Sequence, residues 1–297
     1  MATLDLRPLS LGELLDRTFF LYRRNFFLFA GLAAIPYSLF LMIQLSNTLI
    51  SRLAISSPGT SVSYRLASPA IRFSIAGGGV LALAMIVAGS IALVFSLGAT
   101  VFAVSEIYAG RRTSIRDCLL GVRGKAGTIF GVLFLSGLIL FGGLILLVIP
   151  AIYFACRICV ATPAALLEDL DASESIRRSS ALTKGFAGRA FMIYMLYFAL
   201  TWIVLAAFQV PFVILMAANA RQPQMVILWL VFMQVANFLG TVLVTPIGMI
   251  GFSLFYYDLR VRKEGFDLQL MMQAIGGDPV PPRITGGTPS MFGRDAF

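Results

Sequence analysis

The stretch Ala126–Leu167 is apolar almost without interruption, and the single charge inside it is Arg157. As one helix rising 1.5 Å per residue it would be about 60 Å long, twice the ~30 Å hydrocarbon core of a bilayer. Such a run must fold back on itself. Two places can break it: Gly142-Gly143, and the Ile149-Pro150 step, where the residue before proline is biased away from helix. The run therefore reads as a tight transmembrane hairpin with Arg157 on its returning arm.

Composition carries the same message for the whole chain. Hydrophobic residues make up 59% and charged residues 12%, against about 25% charged in soluble domains. A net charge of +9 would suggest nucleic acid in a soluble protein. Here most basic residues flank apolar spans, so the positive-inside rule accounts for them and no nucleic-acid partner is expected. The first 25 residues contain Asp5, Glu13 and Asp16, and the apolar run starts only at Phe26. No cleavable signal is expected, and the first span itself should direct insertion.

Residues 1–25 hold an amphipathic helix from Ser10 to Asn25, with a Ser10/Glu13 capping box and an apolar stripe of Leu11, Leu14, Leu15, Thr18, Phe19 and Tyr22. A membrane domain over 26–263 follows, with spans near 26–50, 75–108, 126–148, 150–168, 190–218 and 225–257. Ser51–Ser74 reads as a polar connection, Asn219–Gln224 as a tight turn, and 264–297 as a disordered cytoplasmic tail. Between the fourth and fifth spans, Asp171–Gly185 reads as another capped helix, with Gly185 as its stop.

Six spans place the basic segments on one side of the membrane, the cytoplasmic one, together with both termini. Ser10-Leu-Gly-Glu13, Ser114-Ile-Arg-Asp117 and Asp171-Ala-Ser-Glu174 each offer a cap with an acid three residues on, ahead of an odd-numbered span. The expected fold is an all-α integral membrane protein of three transmembrane hairpins, each preceded by a cytoplasmic interfacial helix. The basic residues of these elements, Arg17, Arg23, Arg24, Arg111, Arg112, Arg177 and Arg178, are candidate contacts to anionic headgroups. Glu106, Glu168 and Asp258 lie at the inner ends of the even spans, where the helix dipole disfavours an acid. Each is expected to have a basic partner and to pin an interfacial helix to the bundle.

Arg7-Pro-Leu-Ser-Leu-Gly-Glu-Leu-Leu-Asp16, Leu21-Tyr-Arg-Arg-Asn25, Ile149-Pro-Ala-Ile-Tyr153 with Arg157, and Tyr256-Tyr-Asp-Leu-Arg-Val-Arg-Lys-Glu-Gly-Phe-Asp-Leu268 resemble the bacterial membrane family named after the membrane domain of glycerophosphoryl diester phosphodiesterases. The resemblance spans about Arg7 to Leu268. It implies a multi-pass helical bundle in a bacterial cytoplasmic membrane and no established activity. The hydrolase of that architecture is a separate soluble barrel with acidic metal ligands and histidines. That extra domain is not expected here, and the sequence holds no His.

Without histidine there is no Ser-His-Asp or Cys-His system and no His-based metal centre. Gly77-Gly78-Gly79 lacks the lysine-serine pair of a phosphate loop, and Cys156-Arg-Ile-Cys159 is a metal half-site without a second half, since Cys118 is the only other cysteine. No catalytic residue, metal or cofactor is expected. For Arg157 two readings stay open: bonding to carbonyls freed at a proline break or to the amides of Gln209, Gln234 and Asn237, or an anion or lipid-phosphate site with Gln234 and Asn237 as neutral partners. Two functions follow. The first is a non-enzymatic scaffold or accessory protein that binds membrane lipids and a protein partner or second copy. The second is a transporter or channel for a small anionic solute.

Overall fold

A computed structural model describes residues 9–55, 69–146 and 148–265. These residues form helices and turns, with no strand among them. The order is α1 (Leu11–Arg24), α2 (Phe26–Ile55), α3 (Pro69–Tyr108), α4 (Ile115–Val122) running through a 3-10 turn at Arg123–Lys125 into α5 (Ala126–Leu146), α6 (Val148–Ile158), α7 (Ala161–Leu167), α8 (Ala172–Thr183), α9 (Ala187–Ala218) and α10 (Pro223–Glu264). Six segments are long and apolar enough to cross a membrane: Phe26–Leu49, Leu83–Tyr108, Ile115–Ile145, Val148–Leu167, Ala187–Ala218 and Gln224–Glu264. The most extensive packing joins α9 with α10, α2 with α3 and α5 with α6, so the bundle consists of three antiparallel hairpins. α1, α4 and α8 precede them at one common end, called the inner end below.

α5 runs to Leu146 and α6 starts at Val148, so neither of the two expected breaks interrupts a helix. Gly142 and Gly143 lie inside α5, and Pro150 sits in the first turn of α6, where its missing N–H removes no helical bond. Gly143 has a different use. A Cβ there would lie 3.0 Å from Ala151 Cα and 3.2 Å from Ala151 N, so the glycine lets the backbones of the two arms touch.

The returning arm is itself broken, which was not anticipated. α6 ends at Ile158 and α7 begins at Ala161, with Pro163 in its first turn. Proline gives no N–H to the carbonyl of Cys159, and α8 supplies replacement bonds around the gap. The Ser179 hydroxyl donates to Arg157 O at 2.9 Å and accepts from Val160 N–H at 3.3 Å, and the Thr183 hydroxyl lies 3.1 Å from the same Arg157 carbonyl. Ser175, Ser179 and Thr183 follow the i, i+4 rule and are completely buried. α8 thus turns a hydroxyl stripe inward, toward the break.

Three further features differ from the sequence expectation. α2 and α3 run into the supposed connection Ser51–Ser74, of which only 56–68 lie outside the described residues. α10 continues past Tyr257 to Glu264, so Arg260, Arg262 and Lys263 belong to its last turns and not to the tail; the remainder of 264–297 is outside the described residues. Finally, α1 does not lie flat across the inner end. Leu9 N–H donates to Asp258 Oδ1 at 2.8 Å, Thr18 lies beside Gly251, and the Tyr22 hydroxyl donates to Leu243 O at 2.8 Å. These contacts cover about 22 Å of α10 at the helical rise. Leu14, Thr18, Leu21 and Tyr22 form its buried face, while Phe19 of the expected stripe is exposed. Burial pushes the Tyr22 phenol up to about 12, so it stays protonated and donating.

Gly143→Leu is expected to separate α5 from α6 and cost about 1 to 3 kcal/mol, whereas Gly137→Leu, with open space around it, should be neutral. Melting temperatures of the two variants in detergent check this, and equal values would refute the close approach.

Candidate functional site

Buried side chains concentrate at the inner end, and so do ionic groups. Sixteen Arg or Lys and all ten described Asp or Glu gather there, and the acids form three separate arrangements.

Asp258 is the centre of the first. Its side chain has no solvent exposure, and it accepts from Leu9 N–H, from Arg189 Nη1 at 3.0 Å and from Arg262 Nε at 3.0 Å. Both guanidiniums also donate to the Leu9 carbonyl, at 2.7 and 2.6 Å. One carboxylate therefore ties the segment leading into α1 to α9 and α10. Glu168 is the centre of the second arrangement. It receives Arg178 of α8 at 2.7 and 3.1 Å and the Tyr256 hydroxyl at 2.6 Å, with Arg260 Nε 3.8 Å away. Arg178 also pairs with Glu264, which receives Arg260 at 3.1 Å. Burial works against the Arg178 charge, but Glu168 and Glu264 together hold it above the usual arginine range.

The third acid behaves differently from expectation. Glu106 forms a two-point pair with Arg111, at 2.6 and 2.7 Å, within the loop that follows its own helix, and Arg111 is 66% exposed. Asp258 and Glu168 thus hold the α1 and α8 units, while Arg111, the partner of Glu106, lies before α4 and not on it. The caps divide similarly. Ser10/Glu13 and Ser114/Asp117 form complete capping boxes, whereas Asp171 occupies the N-cap of α8 without a side-chain bond. Gly185 ends that helix at φ +88, a left-handed conformation suited to glycine.

Arg157 is central in the apolar segment Val148–Leu167 by residue order, but a helix ends beside it. It sits in the last turn of α6, with its guanidinium 5.9 Å from the Tyr153 ring centroid. Arg157 and Lys184 both lie close enough to Lys263 to act on it electrostatically. Lys263 donates to Ala181 O at 2.7 Å and lies 5.9 Å from the Phe186 ring. Three cations from α6, α8 and α10 thus meet beside the end of α8. Gln234 and Asn237 lie on α10 about 40 Å of helix from Lys263. Gln234 donates to Thr48 at 2.6 Å and Asn237 accepts from Gln209 at 2.9 Å. Both line a cavity of about 190 Å³ between α2 and α10, where Gln234 Oε1 has no hydrogen-bond partner among the described residues. The expected grouping of Arg157 with these amides does not exist.

Arg17 lies beside Tyr108 at the end of α3. Arg23, Arg24, Arg112 and Arg177 are exposed at the inner end, and Arg178 is turned inward into the Glu168 network. Among the described residues no group of three or more His, Cys, Asp or Glu is placed to hold a metal, and the Cys159 thiol donates to Cys156 O at 3.3 Å. Sequence reading missed Arg189, Tyr256, Lys184 and Lys263. The i, i+4 spacings Asp258/Arg262 and Arg260/Glu264 were visible signals, as was Arg189 at a helix N-terminus, where a cation needs an acid.

Removing these carboxyl charges should destabilise in the order Asp258→Asn, Glu168→Gln, Glu106→Gln. The first leaves two arginines facing a neutral amide at a cost of about 3 to 5 kcal/mol, and the last removes a largely exposed pair that contributes little. Melting temperatures in detergent, with the rate of proteolysis ahead of Leu11, check the order; three equal values would contradict it. Compared with known proteins, the chain matches no family model, no curated protein and no solved structure.

Proposed function

We propose that this protein is a non-enzymatic membrane scaffold that gathers anionic lipid headgroups, and partner proteins with them, at its inner end. The observation that carries this reading is the convergence of Arg157, Lys184 and Lys263 at the end of α8, where Lys263 bonds Ala181 O and Thr183 bonds the Arg157 carbonyl, with Glu264 also acting on Lys263. Three like charges held together by the fold favour a polyanionic or phosphate-bearing ligand. Several acids of the same end are drawn into structural pairs: Asp258 and Glu168 are fully engaged, Glu264 bridges Arg178 and Arg260, and Asp169 pairs with Lys125.

The surroundings suit a lipid. Tyr153, Ile152 and Phe154 of α6 and Met192, Met195 and Leu196 of α9 expose apolar surface next to the cluster, and the two helices pack against each other. The outer face of α1 exposes Phe19 and Phe20, followed by Arg23, Arg24 and then Phe27, the aromatic and basic mixture of a membrane-interface element. The excess of basic over acidic residues at this end favours a cytoplasmic orientation with both termini inside. A bacterial cytoplasmic membrane accords with the family resemblance, whose first and last motifs meet at Leu9 and Asp258. The transporter reading has less support: the polar side chains around Gln234 bond one another and lie far from the cation cluster.

The combined substitution Arg157→Gln, Lys184→Gln and Lys263→Gln is expected to reduce retained phosphatidylglycerol roughly tenfold, the size of effect lost with one or two charged contacts, while Arg221→Gln at the outer turn leaves it unchanged. Native mass spectrometry of protein released from nanodiscs reads this directly. Wild-type retention in the triple variant would overturn the proposal, and solute flux in proteoliposomes would favour the transporter.

A further inference from the structure

A second site lies apart from that cluster. A cavity of about 360 Å³ opens between α2, α3 and α4, lined by Ile35, Ala92, Phe95, Ser96, Leu119, Leu120 and Arg123. Its size falls within the range of ligand pockets, about 300 to 1,000 Å³. The walls are apolar except at two points. The Ser96 hydroxyl is committed to Leu32 O at 2.7 Å and offers no donor. Arg123 is exposed, and no acid in the described structure pairs with it.

The cavity is not a product of loose packing. Beside it, a Cβ on Gly98 would lie 2.5 Å from Ile129 Cδ1 and 2.7 Å from Val122 Cγ1, and one on Gly121 would lie 2.7 Å from Phe102 Cζ. Glycine brings α3 into tight contact with α4 and α5 on this flank, while the adjoining space stays open. Orientation adds a second argument. Arg123 lies in the 3-10 turn at the inner end, whereas Ala92 is one helical turn further from that end than Ser96. Ile35 is likewise beyond Leu32. The cation therefore marks one end of an apolar slot that extends toward the membrane interior. Ile35 and Leu120 on its walls are exposed, 38% and 55%, which leaves a side entrance from lipid.

We propose that this slot binds a single-chain anionic amphiphile, with its carboxylate or phosphate on Arg123 and its acyl chain along Ala92, Phe95 and Leu119. A free fatty acid and an acidic lysolipid share this chemistry. A two-chain phospholipid does not, because one slot and one cation accommodate one chain and one charge. The site does not depend on the scaffold reading, and it is tested at different residues.

The test uses the full chain in neutral phosphatidylcholine nanodiscs, with a fatty acid carrying a photoreactive diazirine and an alkyne. Labelling should saturate, map to peptides containing Phe95 and Leu119, and be competed by oleate or by lysophosphatidate; the stronger competitor identifies the head group. Arg123→Gln should weaken labelling roughly tenfold. Ala92→Phe should abolish it by filling the slot, with the melting temperature of each variant confirming that the fold is intact. Unsaturable labelling spread over lipid-exposed residues such as Phe134 and Phe198 would overturn the proposal. So would equal competition by dioleoyl phosphatidate, or labelling indifferent to both substitutions in folded protein.

Discussion

The structure depends most on one buried charge. Asp258 sits near the end of the longest helix, where the dipole opposes a carboxylate and burial adds a desolvation cost of several kcal/mol. Two guanidiniums and a backbone N–H offset that cost together. Because these donors come from the segment before α1, from α9 and from α10 itself, satisfying the charge brings the first and last described parts of the chain together. Glu168 repeats the arrangement for α8, with the Tyr256 hydroxyl completing its shell. In a bundle whose remaining surface is apolar, lipid provides little drive for one helix to associate with another. Directional polar contacts therefore fix where the amphipathic helices attach.

Arg157 gains its position through a backbone defect. Pro163 gives no N–H to the Cys159 carbonyl, and at the break the Arg157 carbonyl and Val160 N–H are taken up by hydroxyls of α8. The shortened α6 ends early, which places its last-turn arginine beside Lys184 and Lys263 at the inner end. A single uninterrupted helix could not have delivered that cluster. The proline, the Ser/Thr stripe and the cations thus form one arrangement, in which a loss of regular structure is compensated and a charged surface results.

Much of this was legible from residue order. Apolar run length set the number of spans, charge placement set their parity, and the oxygen-acid spacing at Ser10/Glu13 and Ser114/Asp117 located true capping boxes. The requirement that Glu168 and Asp258 find basic partners also followed, since an unpaired buried acid is too costly to persist. What residue order left open was the company of Arg157, which lies within an apolar run yet approaches Lys184 and Lys263 at the end of α8. The break at Pro163 is bridged by hydroxyls of the following helix α8, and the long tilt of α1 along α10 depends on contacts between segments more than 200 residues apart in sequence; no local pattern encodes either.

By itself, then, the sequence determined that this is a helical, multi-pass protein with its charge gathered at one end, because hydrophobic length and helix-end electrostatics are local properties. Only the tertiary structure decided which charges are spent on holding it together and which remain on its surface. Glu106 closes a pair within its own loop, Asp258 is enclosed by two arginines, and Arg123, with no acidic partner among the described residues, sits at the mouth of an apolar slot. Side chains with similar neighbours in sequence reach these different ends because pairing depends on the geometry of approach between helices, which residue order does not record.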